Sequence, residues 1–425
     1  MTPSASTQTS PPADCCAEYA ALTRRGLLLG TAALAGSSTM IGSAVVRASA
    51  ATTVSARSVM VVLSLRGAAD GMSLVVPHGD PVYYSARPRL AIPADRLLAR
   101  DAMFGLHPAL APLLPLWSSG RLAAVHATGL PAPNRSHFAA MEEVEDADPG
   151  STVRSGWLNR LIGLDDRTSP LQAISVGGGV PPASLYGPAD YLSARDVRSV
   201  SIPAGDASDT EGWRRVRSLH RLWDGQSTPI GRAMRATLRS VAEFEPARST
   251  SPTPAHGATY PSGDLGRALA EVARIIRGDV GVEVLTVDQG DWDHHSGLGT
   301  ADRGRMLRNA GELAASVAAF FTDLGPLADK VTLVALSEFG RRVVENANEG
   351  LDHGYGNAML LMGAGVVGGY HGRWPGLVAD HDADLQVTTD YRSVLSEVVS
   401  SRFAASPAAV FPGFVREPVG VMRGA

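Results

Sequence analysis

Short apolar runs alternate along this chain with longer stretches that carry an apolar residue at every third or fourth position. Residues 58–65 are almost entirely apolar and stop at Arg66-Gly67. A run of that length without polar alternation suits a strand buried on both faces, as in the middle of a parallel sheet. Shorter runs at 122–126, 172–177, 282–287, 331–336 and 359–362 predict further strands. Helical spacing predicts helices over 107–117 (despite Pro112 and Pro115), from about 136, and over 212–224, 230–246, 303–324 and 390–400. Leu265, Leu269, Val272 and Ile276 predict one more, ended by Gly278. The Ser/Thr/Pro-rich segment 249–262 reads as a loop or boundary. Strand 282–287, helix 303–324 and strand 331–336 form a βαβ unit, which closes right-handed with parallel strands. It is expected to set Asp288 and Glu338 on neighbouring strands. The expected fold is α/β: a doubly wound, mostly parallel sheet with helices on both faces. Residues 51–425 are expected to form one domain, with a helical, irregular insertion near 178–262.

The first fifty residues have a different pattern. Arg24-Arg25 precede Gly26-Leu27-Leu28-Leu29-Gly30, and Ala48-Ser49-Ala50 offers a cleavage site. This predicts a twin-arginine signal over residues 1–50, carried by the twin-arginine translocase and removed after export. The expected location is periplasmic or extracellular. Gly, Ser and Thr interrupt 26–46, which argues against a membrane span there and against an integral membrane protein after cleavage. The net charge of −4 gives no footprint for nucleic acid. Cys15 and Cys16 both lie in the leader, so no thiolate is left for a metal or a disulfide. Lys330 is the only lysine, which removes that residue type as a general base elsewhere. A metal would be held by His, Asp and Glu, which favours Zn, Mn, Fe, Ca or Mg.

Ligands of doubly wound sheets bind beyond the carboxyl ends of the strands, and the polar clusters here fall at those ends. Asp70, between Gly67 and Gly71, is either a metal ligand or the cap of a turn. Ser136 opens a helix, where unpaired N–H groups and the positive dipole end stabilise an anionic oxygen. It is a nucleophile or a plain cap, and Asn134 and Arg135 beside it can bind the oxygens of a phosphate or sulfate. Residues 288–295 hold Asp288, Asp291, Asp293, His294 and His295. Asp288 and His295 are the first-choice ligands, with Asp293 a ligand or an orienter of His295. Glu338 ends the next strand, and Arg341 after it can bind an anionic substrate or neutralise carboxylates. His353 is a candidate ligand in a Gly-rich loop, with Asp352 to support it. His107, His126, His137, His371 and His381 are isolated, and for most of them packing or capping suffices.

Taken together, Asp70-Gly71, Arg135-Ser136-His137-Phe138, Gly290-Asp291-Trp292-Asp293-His294-His295, Glu338-Phe339-Gly340-Arg341, Asp352-His353-Gly354, Trp374-Pro375-Gly376-Leu377 and Thr389-Asp390-Tyr391-Arg392 resemble the exported bacterial proteins of domain-of-unknown-function family 1501. That family is similar in architecture to the alkaline phosphatase and sulfatase superfamily. The resemblance implies one or two divalent ions, with Asp70, Asp288, His295, Glu338 and His353 as metal residues, and Asp293 joins them from its place in the 288–295 loop. It implies Ser136 as nucleophile, and the reading of the neighbouring residues adds Arg341 and Arg135 on the charged oxygens. Phe339 departs from the pattern, standing where the superfamily has a second-site histidine. The leading expectation is an exported metal-dependent hydrolase of phosphate or sulfate esters, acting on a small anionic ester or envelope polymer. The alternative is a non-catalytic secreted binding protein on the same fold. A redox enzyme is the weaker third reading, since residues 51–425 hold no cysteine.

Overall fold

In the computed structural model, residues 38–41, 44–47, 55–165, 169–178, 180–202 and 210–425 are described. Their centre is an eleven-stranded sheet. The strands are β1 (Ser38–Ile41), β2 (Ala44–Arg47), β3 (Val59–Leu65), β4 (Leu122–Gly129), β5 (Ala173–Val176), β6 (Leu192–Ala194), β7 (Val284–Gln289), β8 (Val331–Leu336), β9 (Asn357–Gly363), β10 (Gly369–His371) and β11 (Thr389–Asp390). Their spatial order is β1-β2-β6-β5-β7-β3-β8-β9-β4-β10, with β11 also on β4. Strands β6, β5, β7, β3 and β8 run parallel, and β9 is antiparallel to both of its neighbours. The fold is α/β, as the hydrophobic pattern predicts.

β3 is buried along its whole length. Val59, Val61 and Leu63 face one core, while Met60 and Val62 face the other. The first core is covered by helices Asp264–Arg277 and Arg305–Leu324, the second by His137–Asp146, Trp157–Ile162 and Tyr391–Phe403. We label His137–Asp146 α1, Asp264–Arg277 α2, Arg305–Leu324 α3 and Tyr391–Phe403 α4. α2 matches the dipole at both ends, with Asp264 in its first turn and Arg274 and Arg277 in its last. α3 lies between Gly304 and Gly325, both at positive φ, where a Cβ would strain the chain.

Three expectations need correction. β7 and β8 are parallel but not neighbours, because β3 inserts between them. A crossover helix fixes direction and hand but leaves room for a third strand. Residues 107–117 form not one helix but a 3-10 segment, Pro108–Leu113, and a short α-helix, Leu114–Ser118, because Pro112 and Pro115 lack the N–H a continuous helix needs. The irregular segment near 178–262 also contributes β6 to the sheet. Arg24-Arg25 and the Ala48–Ala50 site of the expected leader lie outside the described residues. Within residues 1–50, β1 and β2 form a hairpin that extends the sheet from β6.

The carboxyl ends of β3, β4, β7 and β8 and the amino end of β9 share one rim, given the parallel and antiparallel pairings. All the loops that carry candidate chemistry leave from that rim.

Candidate metal centre

The loops at the rim hold each other. Gly67, at φ 109°, donates its N–H to Glu338 Oε1 at 2.9 Å, and Trp292 donates its own to the Arg66 carbonyl at 3.2 Å. The fully buried Arg341 ties the other loops together. Its guanidinium donates to the carbonyls of Ala68 (2.7 Å), Gly67 (2.6 Å) and Leu351 (3.0 Å), and to Asp293 Oδ1 (2.6 Å). One side chain thus sets the loop after β3, the loop after β7 and the loop before β9 in mutual register.

Three imidazoles converge on Asp293. His137 Nδ1–H donates to Glu338 Oε1 at 2.8 Å, His295 Nδ1–H to Asp352 Oδ1 at 3.0 Å, and His353 Nδ1–H to the Arg135 carbonyl at 2.9 Å. Ionised carboxylates and carbonyls only accept, so Nδ1 carries a proton in each ring and Nε2 is the nitrogen turned toward Asp293, as a lone pair in the neutral ring and as an N–H in the charged one. The three Nε2 atoms lie 3.7 Å (His137), 3.1 Å (His295) and 3.6 Å (His353) from Asp293 Oδ1. His295 Nε2 and His353 Nε2 are 2.9 Å apart. Two facing lone pairs repel unless a proton or a cation lies between them. One donor atom from each of His137, Asp293 and His353 lies within 4.8 Å of the others. Burial opposes charge on His137, but its bonds to Asp293 and Glu338 outweigh that and carry it up to about 9. Asp293 is pushed far below the usual carboxylate range: burial works the other way, but the three imidazoles and Arg341 prevail. The site is therefore built to hold positive charge against one carboxylate.

Three nitrogens and one oxygen, with each ring's second nitrogen anchored to an oxygen acceptor, is a donor set that fits Zn²⁺, Mn²⁺ or Fe²⁺ better than the oxygen-loving Mg²⁺ or Ca²⁺. The four side chains keep between 22% and 29% exposure, so the centre opens to solvent on one side.

The sequence-derived residues divide. Asp293, His295 and His353 meet here. Glu338 does not face the others as a donor: its oxygens are taken up by His137, the Gly67 N–H and Ser337. Asp70 is held elsewhere, gripped by Arg87 at 2.5 and 3.1 Å, with both residues at most 1% exposed. Asp288 is half exposed and paired with Arg66 at 2.8 Å. Arg341 is sealed against its carbonyls and cannot reach a substrate. Ser136 is exposed, and its side chain makes no capping bond to α1. Arg135 is exposed at the same helix entrance and ion-paired to Asp384. The Phe339 ring stands 5.1 Å from that of His137 and 5.0 Å from that of His353, walling the site. His294 is buried and accepts from Asn309, apart from the other imidazoles. The residue that sequence reasoning missed is His137. Its one signal is its place next to Ser136 in a polar cluster at a helix start, where a side chain points at the rim rather than along the helix.

A sequence-family profile described as "Protein of unknown function (DUF1501)" matches residues 57–395. No curated protein matches the chain. Among solved structures, the chain is similar to the lipoteichoic acid synthase LtaP from Listeria monocytogenes, at 8% identity and a TM-score of 0.31, over 77% of this chain and 71% of that one.

Proposed function

The chain belongs to the DUF1501 family, and we propose that it is an exported hydrolase of phosphate or sulfate esters that works with a single divalent transition-metal ion. The observation that carries this reading is the convergence of three Nε2 atoms on Asp293, each fixed by a bond from its own Nδ1. His137, Asp293 and His353, with His295 alongside, would hold the ion. When bound, it supplies Lewis-acid polarisation of an ester oxygen.

The chain's own groups do the rest. Ser136 is adjacent to His137 and opens the ten-residue α1, so its hydroxyl lies among unpaired N–H groups at the positive dipole end. That setting suits attack on a phosphorus or sulfur centre, with an alcohol leaving and water later releasing the acid. Arg135 would exchange Asp384 for the anionic ester. Arg341 acts through Asp293 as a positioning residue. A second ion is not needed: Arg87 already neutralises Asp70, and Phe339 offers no donor. The sealed Arg341 also favours a second reading, a secreted binding protein that keeps the ion without turnover, because among the described residues no buried arginine is left to face the equatorial oxygens.

Hydrolysis of aryl phosphates, phosphodiesters and sulfates by the purified protein separates these readings. Turnover that is lost in both Ser136→Ala and Asp293→Asn supports the hydrolase. Bound metal with no turnover on any of these esters supports the binding protein.

A further inference from the structure

Positive charge in this chain is concentrated on one helical hairpin. Residues 210–243 hold seven arginines against three acidic residues, a net of +4, in a chain whose total is −4. The two helices are Thr210–Trp223 and Pro229–Glu243. At about 100° per residue, Arg214, Arg217 and Arg221 fall on one side of the first helix and Val216, Leu219 and Trp223 on the other, with Leu222 at the boundary beside Arg215. No side chain from Arg214 to Trp223 is buried. Leu222 and Ile230, at the junction of the two helices, are 56% and 62% exposed. A surface helix with an apolar stripe normally covers that stripe with the core. Here Val216, Leu219 and Trp223 are half-buried, while Leu222 stands exposed at the edge of the basic side.

We propose that this hairpin is a docking surface for an anionic lipid bilayer. No helix among the described residues is long and apolar enough to cross a membrane, so Thr210–Trp223 would lie in the headgroup layer. Leu222 and Ile230 enter the acyl boundary, and Arg214 and Arg221 meet lipid phosphates. A soluble polyanion would engage the arginines but gain nothing from the exposed Leu222 and Ile230, and this favours the bilayer. The inference is independent of the metal centre.

The test is co-sedimentation of the full chain at low ionic strength. One vesicle set contains equal parts phosphatidylglycerol and phosphatidylcholine, the other phosphatidylcholine alone. The expected result is binding to the anionic vesicles, at least tenfold weaker on the neutral ones and in Arg214→Glu/Arg221→Glu. Leu222→Ser/Ile230→Ser, with its charge intact, should bind several-fold more weakly. Circular dichroism and thermal unfolding serve as folding controls for each variant. Failure of the wild type to bind anionic vesicles overturns the proposal. So does wild-type-like binding by either double variant. Retention of soluble polyphosphate without any vesicle binding would point instead to an anionic polymer.

Discussion

At the scale of single residues, the oxygen that each charged group meets decides its role. Glu338 fixes the proton on His137 Nδ1. Glu338→Gln can still accept from the ring but loses its charge, so metal affinity should fall about 10- to 100-fold, read by competition with a chelator. Asp70 gives the opposite pattern. Asp70→Asn leaves Arg87 buried without its counter-charge, which should cost about 3–5 kcal/mol in denaturant unfolding. The variant that still folds should nonetheless bind as much metal as the wild type. Sequence reasoning singled out Asp293, His295 and His353 because they crowd into polar loops at strand ends. It assigned Asp70 and Asp288 to the same cluster because nothing local shows that Arg87 and Arg66 come back to pair with them. His137 was hidden by the helix-start pattern that made Ser136 conspicuous.

At the scale of elements, the central strands and the long helices were legible because each announces its own burial, whereas the short β6, β10 and β11 carry too few residues for a pattern. The uninterrupted apolar run of β3 and the 3.6-residue spacing in α2 need no distant partner to be read. The order of strands was less legible, since the placement of β3 between β7 and β8 depends on contacts more than 200 residues apart in sequence, as between Met60 and Val284. That placement matters to the site. β3 ends in the middle of the rim, and its loop must pass close under Asp293. A Cβ on Gly67 would stand 2.6 Å from the Asp293 N, and its φ of 109° is unfavourable for any L side chain. Gly67→Ala should therefore lower stability by at least about 1–2 kcal/mol and loosen the metal centre together with it. Thermal unfolding with and without chelator checks this: the Tm difference between the two conditions should shrink in the variant.

At the scale of the whole molecule, two buried histidines set an acid limit that is separate from the metal. Burial pulls His107 and His126 down to about 4 from the usual 6.5. Each has a ring nitrogen, Nε2 and Nδ1 respectively, without a hydrogen-bond partner. An unfolded chain would bind protons at these rings below about 6.5, while the folded one resists until about 4. Their contribution to stability is therefore complete above pH 6.5 and is lost as pH falls toward 4, up to about 3 kcal/mol for each ring. His126 stacks on Phe104 with centroids 4.2 Å apart, so His126→Phe keeps the packing and should flatten this slope in denaturant titrations between pH 4 and 7.

The charge that folding gathers at the rim is the central claim, and metal content of the folded full-length protein tests it most directly. Elemental mass spectrometry should find about one equivalent of a transition metal such as Zn, Mn or Fe. That equivalent should disappear in His137→Ala and in Asp293→Asn, and persist in Asp70→Asn and Asp288→Asn. Two equivalents, or metal that leaves with Asp70 or Asp288 but stays without His137, would contradict it.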